Sequence, residues 1–260
     1  MTSPVDIFRE VANKQKKRHL ICVIIFSVLL VNARAQNIEA RYSIRRIESV
    51  ALDEKTNKEI QLDFEGFLYK AGSKVISFWK PLYLAQYPTG TIEFATSKGS
   101  YIYGFCMDTM QFVNVYHTDS LRVWSFFCTT IIEPAFTTTK YKAAQSIWKI
   151  LPETRLINGL LCKHALQMLG EKIYCEIWYY PDVKLGFGMD GLIDVPGTIV
   201  QFSSDITKTT YQLIELKVDE PIDPAFFWPD IFKKAKFYEV TQNSQTILTE
   251  KMKSDIMNQP

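Results

Sequence analysis

Residues 160–180, LLCKHALQMLGEKIYCEIWYY, form two runs rich in apolar and aromatic side chains with a turn signal between them. Gly170 and Glu171 occupy the centre of that turn, and glycine gives the backbone the freedom that a tight connection needs. Short apolar runs on either side of such a turn are typical of strands. The stretch therefore predicts an antiparallel β-hairpin.

Centring the turn on Gly170 and Glu171 sets Cys162 opposite Tyr179 and Cys175 opposite Leu166. The two cysteines are then offset by four residues, roughly 13 Å along a strand, whereas a disulfide needs Cα atoms within about 7 Å. We predict that Cys162 and Cys175 do not pair with each other. For the cysteines at 106, 128, 162 and 175 as a group, disulfides and buried thiols both stay open.

Alternation along the second run divides its side chains between two faces. One face carries Tyr174, Trp178 and Tyr180, and the other carries Ile173, Cys175, Ile177 and Tyr179. One face must be core, and the other would present three aromatic rings. We expect those rings to be a ligand surface, with a covering C-terminal helix as the alternative.

The rest of the chain repeats the strand pattern. Short runs rich in Val, Ile, Thr and aromatic residues recur with turn signals about every ten residues, which is typical of antiparallel sheets. Pro152 divides one run in two, and the prolines around the AFFW stretch at 225–228 exclude a central strand there. The prediction is a mostly β fold, a single antiparallel meander or curved half-barrel-like sheet, with a helix at residues 244–257.

The N-terminus has the three parts of a secretory signal. Basic residues precede a largely apolar stretch at 20–31, and Ala33-Arg34-Ala35 supplies the cleavage pattern. Twelve residues are too few for a membrane-spanning helix, which needs ~20. We predict a cleaved signal at residues 1–35, a mature chain that begins at Gln36 without a transmembrane span, and a single β-rich domain at 36–260.

Removal of the predicted signal changes the net charge of the chain. The predicted signal holds six of the 30 basic residues and two of the 28 acidic ones, so the mature chain has a net charge of −2. No basic stripe remains that could follow a phosphate backbone, and nucleic-acid binding is therefore not expected.

The segment 186–202, GFGMDGLIDVPGTIVQF, matches the dinucleotide pattern G-x-G-x-x-G. That pattern needs a following helix, whereas Pro196-Gly197 and a β-branched run predict a turn and a strand, so a nucleotide site is rejected. Pro196-Gly197 suits a type II turn. Apolar side chains lie between the glycines and would form an exposed patch unless they pack on the sheet or on a partner. We predict a loop that binds a partner, with a structural loop packed on the sheet as the alternative, formed by Gly186, Phe187, Gly188, Met189, Gly191, Pro196 and Gly197.

Catalytic and metal-binding patterns are weak. His117, Asp119 and Ser120 have the residue types of a serine triad, but they lie together at a turn where polar residues are common. Cys162 and His164 lack a second pair at zinc spacing. Calcium ligands at Asp182, Asp190, Asp194 and Asp205 lack the usual loop pattern. No catalytic residue, metal or cofactor is predicted.

Several features in residues 148–216 occur in the order typical of the GLPGLI family of exported Gram-negative proteins. They are W-K-I at 148–150, E-T at 153–154, I-x-G at 157–159, Cys162, Lys163, Ala165, W-Y at 178–179, Pro181 and the glycine-rich loop. Asp194–Ile199 stands in the place of the motif itself and keeps its Pro, Gly and final Ile. The chain thus resembles a diverged member.

This resemblance implies an exported, mostly β protein with no assigned activity, from a family whose members are often encoded near outer-membrane receptor barrels. We expect a non-enzymatic binding or interaction protein of the periplasm or the inner face of the outer membrane. Its partner would be an outer-membrane receptor, another envelope protein or an apolar ligand. The alternative is an exported hydrolase with a site near His117.

Overall fold

The structure is a computed structural model that describes residues 36–53, 56–117, 122–127, 135–140, 147–189, 191–227, 236–241 and 244–247. In these ranges strands predominate, and the helical parts are two short 3-10 turns, Tyr83–Ala85 and Pro224–Phe227. The described residues contain no helix long and apolar enough to cross a membrane. The predicted signal at 1–35 lies outside them.

The strands are numbered in chain order. They are β1 Ile38–Ala51, β2 Asn57–Ala71, β3 Lys74–Pro81, β4 Thr91–Thr96, β5 Gly99–Gly104, β6 Gln111–His117, β7 Arg122–Phe127, β8 Ala135–Lys140, β9 Ile147–Ile157, β10 Leu160–Leu169, β11 Lys172–Tyr180, β12 Gly186–Phe187, β13 Ile193–Val195, β14 Thr198–Ser204, β15 Thr209–Val218, β16 Lys236–Thr241 and β17 Ser244–Ile247.

Thirteen of these strands form one sheet, in the order β17-β16-β8-β7-β6-β3-β2-β1-β15-β14-β11-β10-β9. Neighbours are antiparallel except β8 and β16, which run parallel. Strands β4 with β5 and β12 with β13 form two separate hairpins. The mostly β, antiparallel prediction is confirmed, and the large sheet is open, with β9 and β17 as its two described edges.

Residues of β1 show how the sheet divides into two faces. Ile38, Ala40, Tyr42 and Ile44 are buried on one side, which we call the core face. Arg41 lies on the other side, the outer face, and bridges Glu65 of β2 at 2.6 Å and Glu215 of β15 at 2.8 Å. Alternate burial along one strand is the expected consequence of the pleat.

The turns predicted around β10 are confirmed. Asn158 and Gly159 join β9 to β10, and their φ values of 51° and 79° are those that a two-residue hairpin requires at both central positions. Gly170, with φ of 62°, lies in the turn between β10 and β11. Local turn chemistry therefore determines both connections.

The register of the β10–β11 hairpin starts as predicted and then shifts by one residue. Leu169 pairs with Lys172, but a bulge between Gln167 and Met168 sets Cys175 opposite Gln167 and Tyr179 opposite Lys163. The predicted opposing residues are wrong by one position. The conclusion drawn from them is confirmed, since Cys162 and Cys175 are both buried thiols that form no disulfide.

Pro152 lies inside β9 and does not divide it into two strands as expected. The pairing of β9 with β10 jumps from Thr154–Lys163 to Ile150–Ala165, so the proline falls in a bulge. Because β9 is the last of the described strands of the sheet, the missing N–H of Pro152 can face away from any described partner. An edge strand tolerates what a central strand would exclude.

Two further expectations concern the C-terminal part. Pro224–Phe227 is a 3-10 turn, which confirms that this stretch is not a central strand, and Phe226 stacks on Tyr69 at 4.7 Å. The helix expected from residue 244 does not begin there, because Ser244–Ile247 forms β17 and pairs with β16. An available sheet edge satisfies the backbone of this short segment. Residues 248–260 lie outside the described ranges.

Gly197 connects β13 to β14 and is tightly enclosed. Its φ is not in the left-handed region, so the predicted type II turn with a left-handed glycine is wrong. A Cβ atom at this position would overlap the carbonyl oxygen of Tyr180 and lie 2.7 Å from Cδ2 of Tyr179. Glycine is required here because two backbones approach closely and leave no room for a side chain, and not because of the backbone torsion angle.

Gly197→Ala should lower the free energy of unfolding by about 1–3 kcal/mol, because the Tyr180 backbone cannot move aside as a side chain could. Denaturant unfolding measures this change. Gly104→Ala is the matched control, since a Cβ there has no neighbour within 4 Å. Equal unfolding midpoints for the two variants would contradict the assignment.

Candidate functional site

The loop predicted to bind a partner is buried. Each of its apolar side chains is no more than 8% exposed, namely those of Leu185, Phe187, Met189, Leu192 and Ile193. The loop forms the short β12–β13 hairpin, and Gly188 donates its N–H to the Leu192 carbonyl. These side chains therefore pack in the core of the chain itself, which agrees with the structural alternative, and the partner role of the loop stays a prediction.

The same loop contacts strands that are far apart in the sheet. The Phe187 ring lies 4.7 Å from that of Tyr116 on β6, and Trp148 on β9 donates its indole N–H to the Ile193 carbonyl at 3.1 Å. Eight strand positions separate β6 from β9, roughly 38 Å in a flat sheet. One short loop can contact both only because the sheet curves around it.

The glycines of the loop serve its shape, as predicted. Gly186 and Gly191 have φ of 75°, a conformation that other residues rarely adopt. A Cβ on Gly188 would lie 2.8 Å from Cδ1 of Ile199. The loop leads into strands β13 and β14 where a dinucleotide site would need a helix.

Strand β11 has the predicted alternation. Cys175, Ile177 and Tyr179 are buried on the core face, whereas Tyr174, Trp178 and Tyr180 are half-buried on the outer face. Ile173 lies beyond the bulge and is 53% exposed, so its predicted place in the core is wrong. Glu176 shares the outer face with the three aromatic residues, so this face carries both polar and aromatic side chains.

A cleft of about 480 Å³ opens on this outer face. Six strands contribute its walls, β1, β2, β9, β11, β14 and β15. The lining residues are Ser43, Arg45, Asp63, Arg155, Glu176, Trp178, Gln201, Phe202, Ser203, Thr210, Tyr211 and Gln212. We take this cleft as the candidate functional site, because concave surfaces with converging polar groups are the usual place of ligand binding.

Strand register arranges the outward side chains of the cleft in two rows across the sheet. The first row is Ser43, Gln212, Gln201 and Trp178. The second row is Asp63, Arg45, Thr210, Ser203 and Glu176. Neighbours within a row are ~5 Å apart and the rows are ~7 Å apart, which follows from strand spacing and a two-residue step.

One end of the first row is fixed by stacking around Trp178. The guanidinium carbon of Arg155 lies 4.4 Å from the indole centre, and Arg155 donates a hydrogen bond to Oε1 of Gln201. The His164 ring stacks on Trp178 at 4.6 Å with an angle of 4° between planes. Such contacts contribute ~0.5–2 kcal/mol each and hold these side chains in place.

The charges of the cleft are balanced by close neighbours. Arg45 lies 3.5 Å from Asp63. Nε2 of His164 is 2.9 Å from Oε1 of Glu176, but the two atoms do not align as a hydrogen bond. The contact is an ion pair only while the imidazole is protonated. Nδ1 of the same ring is 3.8 Å from Glu153.

Cys162 and His164 do not form a nucleophile–base pair. The Cys162 thiol donates to the Leu160 carbonyl at 3.4 Å, and burial raises its pKa, so it is the neutral thiol at physiological pH. The described residues contain no cluster of three His, Cys, Asp or Glu side chains placed to hold a metal. Of the residues considered for calcium, Asp190 lies outside the described ranges.

The serine-triad hypothesis falls mostly outside the described residues. Asp119 and Ser120 belong to residues 118–121, and of His117 only the backbone position on β6 is described. The hypothesis stays a prediction.

Sequence reasoning found Trp178 of the cleft, through alternation, but missed Arg155, Glu176, Gln201, Arg45 and Asp63. Glu176 had a usable signal, because it shares the alternation of the aromatic face. The others come from strands more than 100 residues apart in some cases, and only the pairing of β1 with β15 and β15 with β14 brings them together.

Comparisons with known proteins give no family. No family model matches the chain, and no curated protein matches it. The GLPGLI resemblance therefore stays a prediction from the order of its motifs.

Three solved structures show a remote similarity. Two of them are structures of PNGF-II in different crystal forms, each with a TM-score of 0.44 and with sequence identities of 15% and 16%. The matches cover 79% and 80% of this chain but 32% and 31% of the PNGF-II chains. The chain thus spans about a third of the length of PNGF-II. An uncharacterized conserved protein from Thermus thermophilus has a TM-score of 0.40 and 9% identity, with 84% of this chain and 99% of that one covered. Because the TM-scores are low, these structures do not indicate a function.

Met189→Ala should lower the free energy of unfolding by about 2–5 kcal/mol, because this fully buried side chain fills the space above Gly66, where its Cε would lie 2.9 Å from an added Cβ. Met107→Ala is the matched control, since Met107 is 50% exposed, and its effect should stay below about 1 kcal/mol. Thermal or denaturant unfolding measures both. A negligible effect of Met189→Ala would mean that the loop is not core.

Proposed function

We propose that the protein is an exported, non-enzymatic binding protein of the periplasm or the inner face of the outer membrane, and that it binds through the outer-face cleft. The observation that carries the proposal is the two rows of polar side chains set by strand register across β2, β1, β15, β14 and β11. A surface of this kind presents many fixed hydrogen-bonding groups to one ligand.

The scaffold supports binding because it is preformed. Paired strands fix the backbone of every row, and Arg155 and His164 hold Trp178 by stacking. A site that is already ordered loses little conformational entropy when a ligand arrives. The burial of the glycine loop supports the same site, since the loop fills the core face of the curved sheet and leaves the cleft open on the outer face.

The chemistry of the cleft favours a polar ligand over the apolar ligand expected from the aromatic face. Glu176 lies between Tyr174 and Trp178 on the outer face, and both rows consist almost entirely of polar side chains. Covering such groups with a hydrocarbon would remove their hydration without replacement, at a cost of ~1–3 kcal/mol for each.

Export is supported by two features. The sequence has the three parts of a secretory signal. Cys106 is disulfide-bonded, and its partner lies outside the described residues. Structural disulfides persist in oxidising compartments such as the periplasm and are rare in the cytoplasm.

Cys106 should pair with Cys128. Cys162 and Cys175 form no disulfide, and Cys22 belongs to the predicted signal, so Cys128 is the remaining candidate. A digest of alkylated, unreduced protein from the envelope should yield a peptide that joins Cys106 to Cys128. In the same protein Cys162 and Cys175 should react only after denaturation. Ready alkylation of Cys106 in the folded protein would contradict both the pairing and this support for export.

The binding function is tested by what copurifies with the protein from its native envelope fraction. A compound should be released on denaturation from the unaltered protein, and about tenfold less from a Gln212→Ala, Glu176→Gln variant, which removes the amide of the first row and replaces one carboxylate acceptor of the second row by an N–H donor. Mass spectrometry identifies and quantifies the compound.

The matched control for this experiment is Gln86→Ala, Glu59→Gln, which changes the same residue types at exposed positions away from the cleft. Equal recovery from the cleft variant and the control, or no released compound at all, would contradict a binding role for the cleft.

A further inference from the structure

The lining of the cleft contains hydrogen-bond donors and acceptors in nearly equal numbers. Arg45 and Arg155 only donate hydrogen bonds, while Asp63 and Glu176 in their ionised forms only accept them. Five further side chains can do both, Ser43, Ser203, Thr210, Gln201 and Gln212. The ligand that satisfies such a surface must itself both donate and accept at many points.

The cleft has no excess of either charge. Its two arginines and two carboxylates balance, and each charge already has a neighbour. Arg45 is 3.5 Å from Asp63, and Glu176 is 2.9 Å from the His164 ring. Arg155 is engaged by Trp178 and Gln201. An anionic or cationic ligand would have to compete with these contacts, so the cleft offers no strong attraction for a charged group.

The shape of the site is elongated. The second row crosses five strands from β2 to β11, a length of roughly 19 Å at the usual strand spacing. The volume of about 480 Å³ lies within the range of roughly 300–1,000 Å³ for small-molecule sites. A ligand that uses both rows is therefore longer than a single small ring and lies across the strands.

We infer that the cleft binds a short, neutral, hydroxyl-rich ligand of the oligosaccharide class. This inference rests on the proposed binding function and specifies its ligand. Each sugar hydroxyl can donate one hydrogen bond and accept others, which matches the mixed rows. A neutral chain leaves the contacts of Arg45 with Asp63 and of Glu176 with His164 in place, and successive rings can contact successive strands.

The inference is tested by isothermal titration of the purified protein with five probes. Cellotriose, maltotriose and triacetylchitotriose are neutral trisaccharides, trigalacturonate is their anionic counterpart, and palmitate is the apolar probe. At least one neutral trisaccharide should bind. Its affinity should fall about tenfold in the Gln212→Ala, Glu176→Gln variant, since the Gln212 amide and one acceptor oxygen of Glu176 are lost, and stay within about twofold in the Gln86→Ala, Glu59→Gln control.

Three outcomes would overturn the inference. They are binding of trigalacturonate or palmitate alone, binding of none of the neutral trisaccharides, and equal affinity of a neutral trisaccharide for both double variants. The first two leave the proposed binding function intact if the copurification experiment recovers a compound of another class from the cleft. Failure of both experiments would overturn the function as well as the ligand class.

Discussion

Burial of the glycine loop against the core face is the interaction on which the rest of this structure depends. Strong curvature of a thirteen-stranded open sheet is stabilised only when its apolar face is covered. The loop supplies that cover through side chains such as Phe187 and Met189, whose burial contributes about 1.5–3 kcal/mol each. Contacts to Tyr116 on β6 and Trp148 on β9 require the sheet to bend around the loop.

The polar outer face follows from this arrangement. Because the core face takes the apolar half of each strand, the alternate residues of β1, β15, β14 and β11 are left to face outward in register. The ion pairs of Arg41 and the stack of Arg155 and His164 on Trp178 then order two ends of this face. Individually these exposed contacts are weak. They fix the positions of the side chains that they join, and the cleft lies between the Arg41 ion pairs and the Trp178 stack.

The sequence was sufficient wherever the cause of the structure is local. The Asn158-Gly159 and Gly170 turns, the strand identity of most of the chain and the two faces of β11 were predicted because turn torsions and the strand period act over a few residues. The β10–β11 bulge escaped prediction, and so did the continuity of β9 through Pro152, because both depend on the neighbouring strand. The helix expected from residue 244 failed for the same reason, since an available edge at β16 favours a strand there.

What the sequence determined by itself is the β class, the antiparallel hairpins and the apolar character of the glycine loop. Only the tertiary structure decided where that apolar surface goes. The sequence at Leu192 and Ile193 does not distinguish burial against a partner from burial against the chain's own sheet. The hydrophobic effect is non-directional and does not specify which apolar surface covers these residues. The cleft belongs to the tertiary structure entirely. Asp63, Arg155 and Gln212 come together through the strand order, and that order is set by which apolar faces can be buried at once.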